Sequence, residues 1–157
     1  MGYSFACDFV GSESKDIDAA RFAKEVEVRG LNSFAIYHGR KYGREKDAYF
    51  KQTDVFVLPS FNEAFPLVNI EAMEYKLPIV STNVGGIPDE VVDGVNGYII
   101  KDNKSKSLAD ALSTLLGDAS LRQNMGEAGY QRFKEKFTES CFENQMVSNL
   151  KSSMEKG

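Results

Sequence analysis

The sequence predicts an α/β fold in which a Rossmann-like parallel sheet is flanked by helices and followed by a helical C-terminal tail. Over the first 100 residues, short runs rich in β-branched and aromatic residues alternate with longer amphipathic stretches, which is typical of parallel strands joined by helices. After residue 100, apolar residues recur only at helical spacing. No linker or internal repeat interrupts the pattern, so we predict one domain over residues 1–157.

Five strands are predicted from short apolar runs bounded by glycine, proline or polar residues. They cover residues 5–10, 34–37, 55–58, 78–81 and 98–100. The third run is almost wholly apolar, which predicts a central strand that is buried on both faces. The last strand follows Asn96-Gly97, a pair that favours a tight turn with positive φ.

The helices are predicted from apolar residues on one helical face. Gly30 is expected to end the first helix, Pro88 to open the short fourth one, and Thr138 to cap the last. The first four helices cover residues 16–29, 45–52, 66–76 and 89–92, and the apolar faces of the tail helices span residues 108–116, 121–137 and 142–150.

Composition excludes several classes of function. The net charge of −4 argues against a protein that coats nucleic-acid phosphates. No apolar run approaches the roughly 20 residues that a membrane helix needs. The two cysteines, Cys7 and Cys141, fit a reducing cytoplasm better than a disulfide framework. Metal-ligand spacing is absent, and so are both glycine-rich phosphate motifs, which disfavours nicotinamide enzymes and P-loop hydrolases.

The richest candidate site follows the third strand, because ligands of open parallel sheets bind beyond the carboxyl ends of the strands. Glu63 and Glu71 stand on either side of a helix start, whose free N–H groups attract an anion such as a diphosphate. Pro66 suits the first helical position, and Glu71 lies about 7.5 Å further along the axis. The N–H donors are expected from the residues around the proline, which are Phe65, Leu67 and Val68.

Simpler interpretations of these residues stay open. Glutamates near a helix start often serve only the helix dipole or the cap. Gly85-Gly86 forms either a strained turn close to a ligand or a purely structural turn. His38, the one histidine, is more consistent with a cap at a strand end than with a general base.

Taken in order, several short motifs resemble the C-terminal domain of retaining glycosyltransferase family four, which has GT-B architecture. The resemblance runs from about residue 5 to residue 150. It rests on Leu58-Pro59-Ser60, Glu63, Glu71-Ala72-Met73, Leu77-Pro78-Ile79-Val80, Val84-Gly85-Gly86-Ile87-Pro88-Asp89-Glu90 and Asn96-Gly97.

The resemblance implies roles for the candidate residues. Glu63 would position the donor sugar or stabilise the transition state, and Glu71 would bind the ribose hydroxyls. The backbone of Phe65, Pro66 and Leu67 would meet the sugar and the diphosphate. The loop at residues 37–41 would line the base pocket through Tyr37, Gly39, Arg40 and Lys41; a solvated loop remains an equal alternative for Arg40 and Lys41.

The implied reaction transfers a sugar from a nucleotide diphosphate donor to an acceptor hydroxyl with retained configuration. Basic side chains and helix N-termini, and no metal or other cofactor, would stabilise the leaving diphosphate. The resemblance associates the parent enzyme with glycan or surface-polysaccharide synthesis and allows peripheral contact with the inner face of a membrane.

Two departures from the family pattern bear on activity. The family's domain begins with one more strand and helix, which carry an Arg and a Lys that hold the diphosphate, and nothing before Phe5 supplies them. The chain is therefore expected to begin late in that domain and to lack the acceptor-binding domain. Without that domain, the apolar face of the last helix, residues 142–150, is expected to be partly exposed. Alone, the chain is expected to bind nucleotide weakly and to transfer nothing.

Alternatives of other classes stay open: a non-catalytic nucleotide-sugar-binding or scaffold module and, with less support, a related nucleotide-sugar epimerase. The sequence leaves the base, the sugar and the acceptor undetermined.

Overall fold

A computed structural model describes residues 5–15, 17–102 and 104–154. The chain divides into two compact units, Met1–Tyr49 and Phe50–Gly157. Each unit has its own sheet, and every strand pairing is parallel. The α/β prediction is confirmed, although the strands pair in two sheets. That residues 1–157 form one domain stays a prediction.

The first unit contains two strands and the helix between them, and a second helix follows. These elements are β1 (Cys7–Val10), α1 (Ala19–Val28), β2 (Ala35–Gly39) and α2 (Gly43–Gln52). Helix α1 begins after Asp18, whose carboxylate accepts the Arg21 N–H at 2.8 Å. The predicted helix start at Asp16 lies outside the described residues. Gly30 adopts φ 65° just beyond the helix, as its predicted role as a stop requires.

Over its described residues, the second unit contains three strands and five helices that follow the order of the chain. They are β3 (Phe56–Leu58), α3 (Leu67–Glu74), β4 (Ile79–Thr82), α4 (Ile87–Glu90), β5 (Gly97–Ile100), α5 (Ser105–Gly117), α6 (Ala119–Lys136) and α7 (Glu139–Met154). The predicted helical tail is thus confirmed. Among these described segments, no helix has the length and apolarity that crossing a bilayer requires.

Strand β4, not β3, holds the centre of the second sheet. The strand order is β3-β4-β5, and all four residues of β4 are buried, whereas those of β3 are only half-buried. The prediction that residues 55–58 form a central strand is therefore wrong for this sheet. The run is apolar because Phe56 packs against one apolar cluster and Val57 packs against another. An edge strand can make such contacts as well as a central one.

The core of the second unit lies on both faces of β4. Successive strand residues point to opposite faces, so Ile79 joins one apolar cluster and Val80 joins the other. Met73 of α3 packs with Ile79, and Leu115 of α5 packs with Val80. This double burial fixes the register of β4 and hence the position of the loops at its carboxyl end.

The turn before β5 differs from its prediction. Positive φ occurs at Gly94, with φ 78°, and not at Asn96-Gly97. Gly97 instead begins β5, where a Cβ would overlap the backbone carbonyl oxygen of Ile79. The Asn96 side chain accepts the Val92 N–H at 2.7 Å and so closes the loop. A close backbone approach therefore explains this glycine.

The bounds of α4 and the start of α7 can be compared with their predictions. Helix α4 begins at Ile87 and ends at Glu90, two residues before the predicted span, because Val91 is already extended. At the start of α7, Thr138 Oγ1 accepts the Cys141 N–H at 3.3 Å, which confirms the predicted cap. The apolar face of α7 is exposed as expected, with Phe142 at 62% and Leu150 at 60%.

Candidate functional site

The loop after β3 orients the first candidate acid. Ser60 Oγ donates a hydrogen bond to Glu63 Oε1 at 2.7 Å. Thr82 at the end of β4 donates its hydroxyl to the Ser60 carbonyl oxygen, which ties the loop to the sheet. Glu63 is half-buried, and the hydrogen bond from Ser60 fixes one of its two carboxylate oxygens. Sequence reasoning assigned no role to Ser60 or Thr82.

The start of α3 presents backbone donors close to this loop. Pro66 is buried and extended, with φ −77° and ψ 99°, and the helix begins at Leu67, one residue later than predicted. The Asn69 N–H donates to the Pro66 carbonyl oxygen at 2.9 Å. Neither the Leu67 N–H nor the Val68 N–H has an acceptor among the residues that the structure describes, so both are available to an anion. Phe65 and Leu67 are 44% and 67% exposed, so this helix start reaches the surface.

Glu71 lies in the middle of α3 and is half-buried. It is one turn after Leu67, the first residue of the helix. The chain therefore places Glu63, the helix start and Glu71 in sequence on one loop and helix. That the two carboxylates hold the two ends of one ligand stays a prediction.

Gly85 and Gly86 pack on the backbone of residues 63–65, which we call the acid loop. Gly85 has φ 53°, and a Cβ at this position would overlap the Glu63 carbonyl oxygen. The Gly86 N–H donates to the Ala64 carbonyl oxygen at 2.7 Å. Both glycines are thus required by a backbone contact with residues 63–65, which supports the structural interpretation of this turn.

A buried polar pair, which sequence reasoning missed, joins the same two segments. Asn69 Nδ2 donates to Glu90 Oε2 at 2.7 Å, and both residues are 0% exposed. Burial raises the pKa of Glu90 to about 7; the Asn69 hydrogen bond opposes that rise, and the charges of Glu63 and Asp89 add to it. One sequence signal could have revealed the pair, namely an asparagine within the apolar run of α3.

Arg132 of α6 is the cation next to this pair. Its Nε donates to the Glu90 carbonyl oxygen at 2.9 Å, and its Nη2 donates to the Asp89 carbonyl oxygen at 2.5 Å. The guanidinium therefore caps the C-terminal end of α4. Its position on an amphipathic helix gave no sign of this contact in the sequence.

In the first unit, the predicted base-pocket loop is fixed by contacts from β1 and the segment after it. Tyr37 donates its hydroxyl to the Gly11 carbonyl oxygen at 3.0 Å. His38 Nε2 lies 2.6 Å from Asp8 Oδ1, so it bridges neighbouring strands and does not merely cap a strand end. Gly39 has φ 67°, which turns the chain sharply where β2 ends.

The two basic residues of this loop have partners within the same unit. Arg40 Nε donates to Ser12 Oγ at 2.5 Å, although Arg40 is exposed. Lys41 Nζ lies 3.8 Å from Glu45 Oε1 at the start of α2. These contacts hold both side chains in place, and a role for either in binding a base stays a prediction.

A groove of about 530 Å³ elsewhere in the second unit contains none of the predicted residues. It lies beside β5 and α5, and its charged lining consists of Asp93, Lys101, Asp102 and Asp110. Over residues 5–15, 17–102 and 104–154, no group of three or more His, Cys, Asp or Glu side chains is arranged to hold a metal ion.

Comparison with protein families identifies the chain. Residues 2–132 match the family described as glycosyl transferases group 1. The chain belongs to this family. It is 35% identical over 98 residues to the capsular polysaccharide biosynthesis glycosyltransferase CapM of Staphylococcus aureus, a match that covers 62% of the chain and 26% of CapM. It is also 35% identical over 115 residues to a D-inositol 3-phosphate glycosyltransferase of Paenarthrobacter aurescens, covering 73% of the chain and 28% of that protein.

Solved structures share the fold. HepE of Anabaena, in complex with UDP, superimposes with a TM-score of 0.85 at 20% identity, over 94% of this chain and 41% of that one. The C-terminal domain of the group 1 glycosyl transferase LpcC of Francisella tularensis superimposes with a TM-score of 0.69 at 29% identity, over 76% of this chain and 62% of that one. The group 1 chain thus has the fold of one part of a GT-B glycosyltransferase, as predicted, and spans about a quarter of the length of the curated relatives above.

Proposed function

We propose that this group 1 chain binds the nucleotide diphosphate sugar donor of a retaining glycosyltransferase. The observation that carries the proposal is the loop and helix at residues 60–71. Ser60 holds the Glu63 carboxylate at 2.7 Å, the adjacent helix start offers two free N–H groups, and Glu71 follows one turn later. An anion between two acids requires such donors, because carboxylates alone would repel it.

In this proposal each part of the donor has its own partner. The diphosphate lies against the N–H groups of Leu67 and Val68, which also stabilise it as the leaving group. Glu71 accepts hydrogen bonds from the ribose hydroxyls. Glu63 faces the donor sugar and either positions it or stabilises the positive charge that develops in the transition state.

The base and the acceptor are further parts of the proposal. Tyr37, Gly39, Arg40 and Lys41 line the base pocket, and the acceptor is held by a domain of the longer parent enzyme. HepE, which shares the fold, was solved with UDP and with UDP-glucose, so UDP is the first nucleotide to test. The similarity to CapM, a capsular polysaccharide biosynthesis glycosyltransferase, supports surface glycans as the product class. The cytoplasmic location inferred from the cysteines remains a prediction.

Calorimetric titration of the 157-residue protein with UDP, GDP and ADP tests donor binding. We expect weak binding of one nucleotide and no sugar transfer. Glu71→Ala should weaken that binding about 10- to 100-fold, because charge-assisted hydrogen bonds to the ribose are lost. Glu74→Ala is the matched control, since Glu74 lies on the same helix but is exposed and should leave affinity unchanged.

Three results would count against the proposal. Equal affinity of the Glu71→Ala and Glu74→Ala proteins would remove Glu71 from the site. If the protein binds none of the three nucleotides, the result would favour a scaffold module that has the fold but no nucleotide ligand. Sugar transfer by the isolated chain would contradict the expectation that a second domain is needed.

A further inference from the structure

Asn69 and Glu90 form a buried contact that the proposed donor site does not use. The two side chains are completely buried, and Asn69 Nδ2 lies 2.7 Å from Glu90 Oε2. Each side chain has a second oxygen, Asn69 Oδ1 and Glu90 Oε1, which is buried and has no hydrogen-bond partner among the residues that the structure describes. Two unsatisfied buried oxygens on contacting side chains are costly and require an explanation.

An ionised Glu90 would leave both oxygens unsatisfied, because a carboxylate and an amide oxygen are both acceptors. One proton on Glu90 removes both deficits. A protonated Oε1 donates to Asn69 Oδ1, while Oε2 still accepts from Asn69 Nδ2, so the acid and the amide form two reciprocal hydrogen bonds. A buried charge with only one hydrogen bond has no comparable compensation.

The charged groups around the pair favour the neutral form. Glu63 precedes α3, and Asp89 neighbours Glu90 on α4; both carry negative charge that raises the pKa of Glu90. On α3, Glu71 is two residues beyond Asn69, which places it on a different side of the helix. Arg132 is the cation at this position, but its guanidinium donates to the backbone carbonyl oxygens of Glu90 and Asp89 and not to the carboxyl group.

We propose that below neutral pH Glu90 is held as a neutral carboxylic acid, paired reciprocally with Asn69, and that this pair positions the Gly85-Gly86 turn against the loop at residues 63–65. The turn immediately precedes α4, and Glu90 is the last residue of that helix. The loop precedes α3, which carries Asn69. The segments thus touch at two places, the glycine–backbone contact and the acid–amide pair. Loss of the proton loosens the second contact and with it the first.

Nuclear magnetic resonance of the protein with ¹³C-labelled glutamate tests protonation directly. The Glu90 carboxyl resonance is identified as the one missing in Glu90→Gln. We expect it to titrate with a midpoint near pH 7, about 2.5 units above the ordinary glutamate value of 4.5. The Asn69 side-chain amide and the Gly86 backbone amide should shift with the same midpoint, and neither should do so in Glu90→Gln. A Glu90 midpoint below about pH 5, or a Gly86 amide that does not respond, overturns the proposal.

Urea unfolding between pH 5 and pH 8.5 provides a second, independent measurement. Because the pKa of Glu90 is raised in the folded state, its stabilising effect is complete below pH 4.5 and is lost as pH rises through 7. Glu90→Gln keeps both hydrogen bonds to Asn69 but cannot ionise. The unfolding constant of the wild type, divided by that of Glu90→Gln, should therefore rise about tenfold per pH unit from about pH 5 to 7 and then level off.

Glu74→Gln is the matched control on α3, because the same substitution at an exposed site should leave the wild-type pH dependence intact. The other titrating groups are common to the wild type and Glu90→Gln and cancel in their ratio. A constant ratio across the pH range overturns the proposal. None of these measurements uses a nucleotide, so failure of the donor-binding proposal and failure of this one remain distinguishable.

Discussion

At the scale of single residues, backbone contact decides where glycine is needed. Gly85 and Gly94 both have positive φ, at 53° and 78°. They differ in their surroundings, because a Cβ on Gly85 would overlap the Glu63 carbonyl oxygen, whereas a Cβ on Gly94 meets nothing within 4 Å. The conformational penalty of a side chain is common to both sites, and the steric penalty applies to Gly85 alone.

Substitution of the two glycines separates these penalties. Gly85→Ala should lower the free energy of unfolding by about 2 to 4 kcal/mol, from backbone strain together with overpacking. Gly94→Ala should lower it by about 1 kcal/mol, from strain alone. Urea denaturation followed by circular dichroism measures both. Equal losses for the two variants would show that the acid loop moves aside freely, contrary to the packing proposed here.

Sequence predicted the roles of single residues correctly where the role depends only on neighbours in the chain. Gly30 follows a helix and Thr138 precedes one, and both act as chain position alone indicates. Asn69 and Glu90 escaped notice because their contact spans 21 positions and depends on how α3 and α4 pack. The sequence pattern places Glu90 in a short helix but does not indicate its burial, which depends on the packing.

At the scale of elements, the strand that matters most is the one in the middle of the sheet. β4 contributes Ile79 to one apolar cluster and Val80 to the other, so it links α3 on one side to α5 on the other. Helix α7 is different, since it has no buried residue. The contribution of a leucine to stability should therefore depend strongly on which helix carries it.

The same substitution on two helices tests this difference. Leu115→Ala on α5 should cost about 2 to 5 kcal/mol, because Leu115 is fully buried against Val80 and a cavity would remain. Leu150→Ala on α7 should change stability by less than about 0.5 kcal/mol, since Leu150 is 60% exposed. Thermal unfolding of both variants measures the effect. A large loss at Leu150 would indicate a partner for the α7 face in solution.

Sequence periodicity was sufficient to place nearly every element but not to order the strands. The apolar run at residues 55–58 looks like a central strand, yet β3 is an edge of its sheet. An apolar sequence indicates that a strand is buried but not where it lies in the sheet. Here the apolar clusters of the second unit partly bury β3 although it is an edge strand. Pro66 was misplaced by one residue because its ring fits both the residue before a helix and the first helical position.

At the scale of the whole molecule, charge opposes the proposed ligand. The chain carries a net charge of −4, and a nucleoside diphosphate is also an anion. The average field therefore repels it, and affinity must come from local donors such as the N–H groups of Leu67 and Val68 at the start of α3. This balance is a further reason to expect weak binding by the isolated chain.

Removal of metal ions tests whether those local donors are sufficient. If backbone N–H groups hold the diphosphate, then dialysis against EDTA should change the dissociation constant for UDP by less than about twofold, because no interaction with the protein is lost. Calorimetric titration of EDTA-treated protein, in parallel with the same protein in excess Mg²⁺, measures the change. The exposed variant Glu74→Ala serves as a control for nonspecific ion effects. A loss of tenfold or more that Mg²⁺ restores would mean that a cation bridges the diphosphate to Glu63 or Glu71, and the helix start would then be a secondary contact.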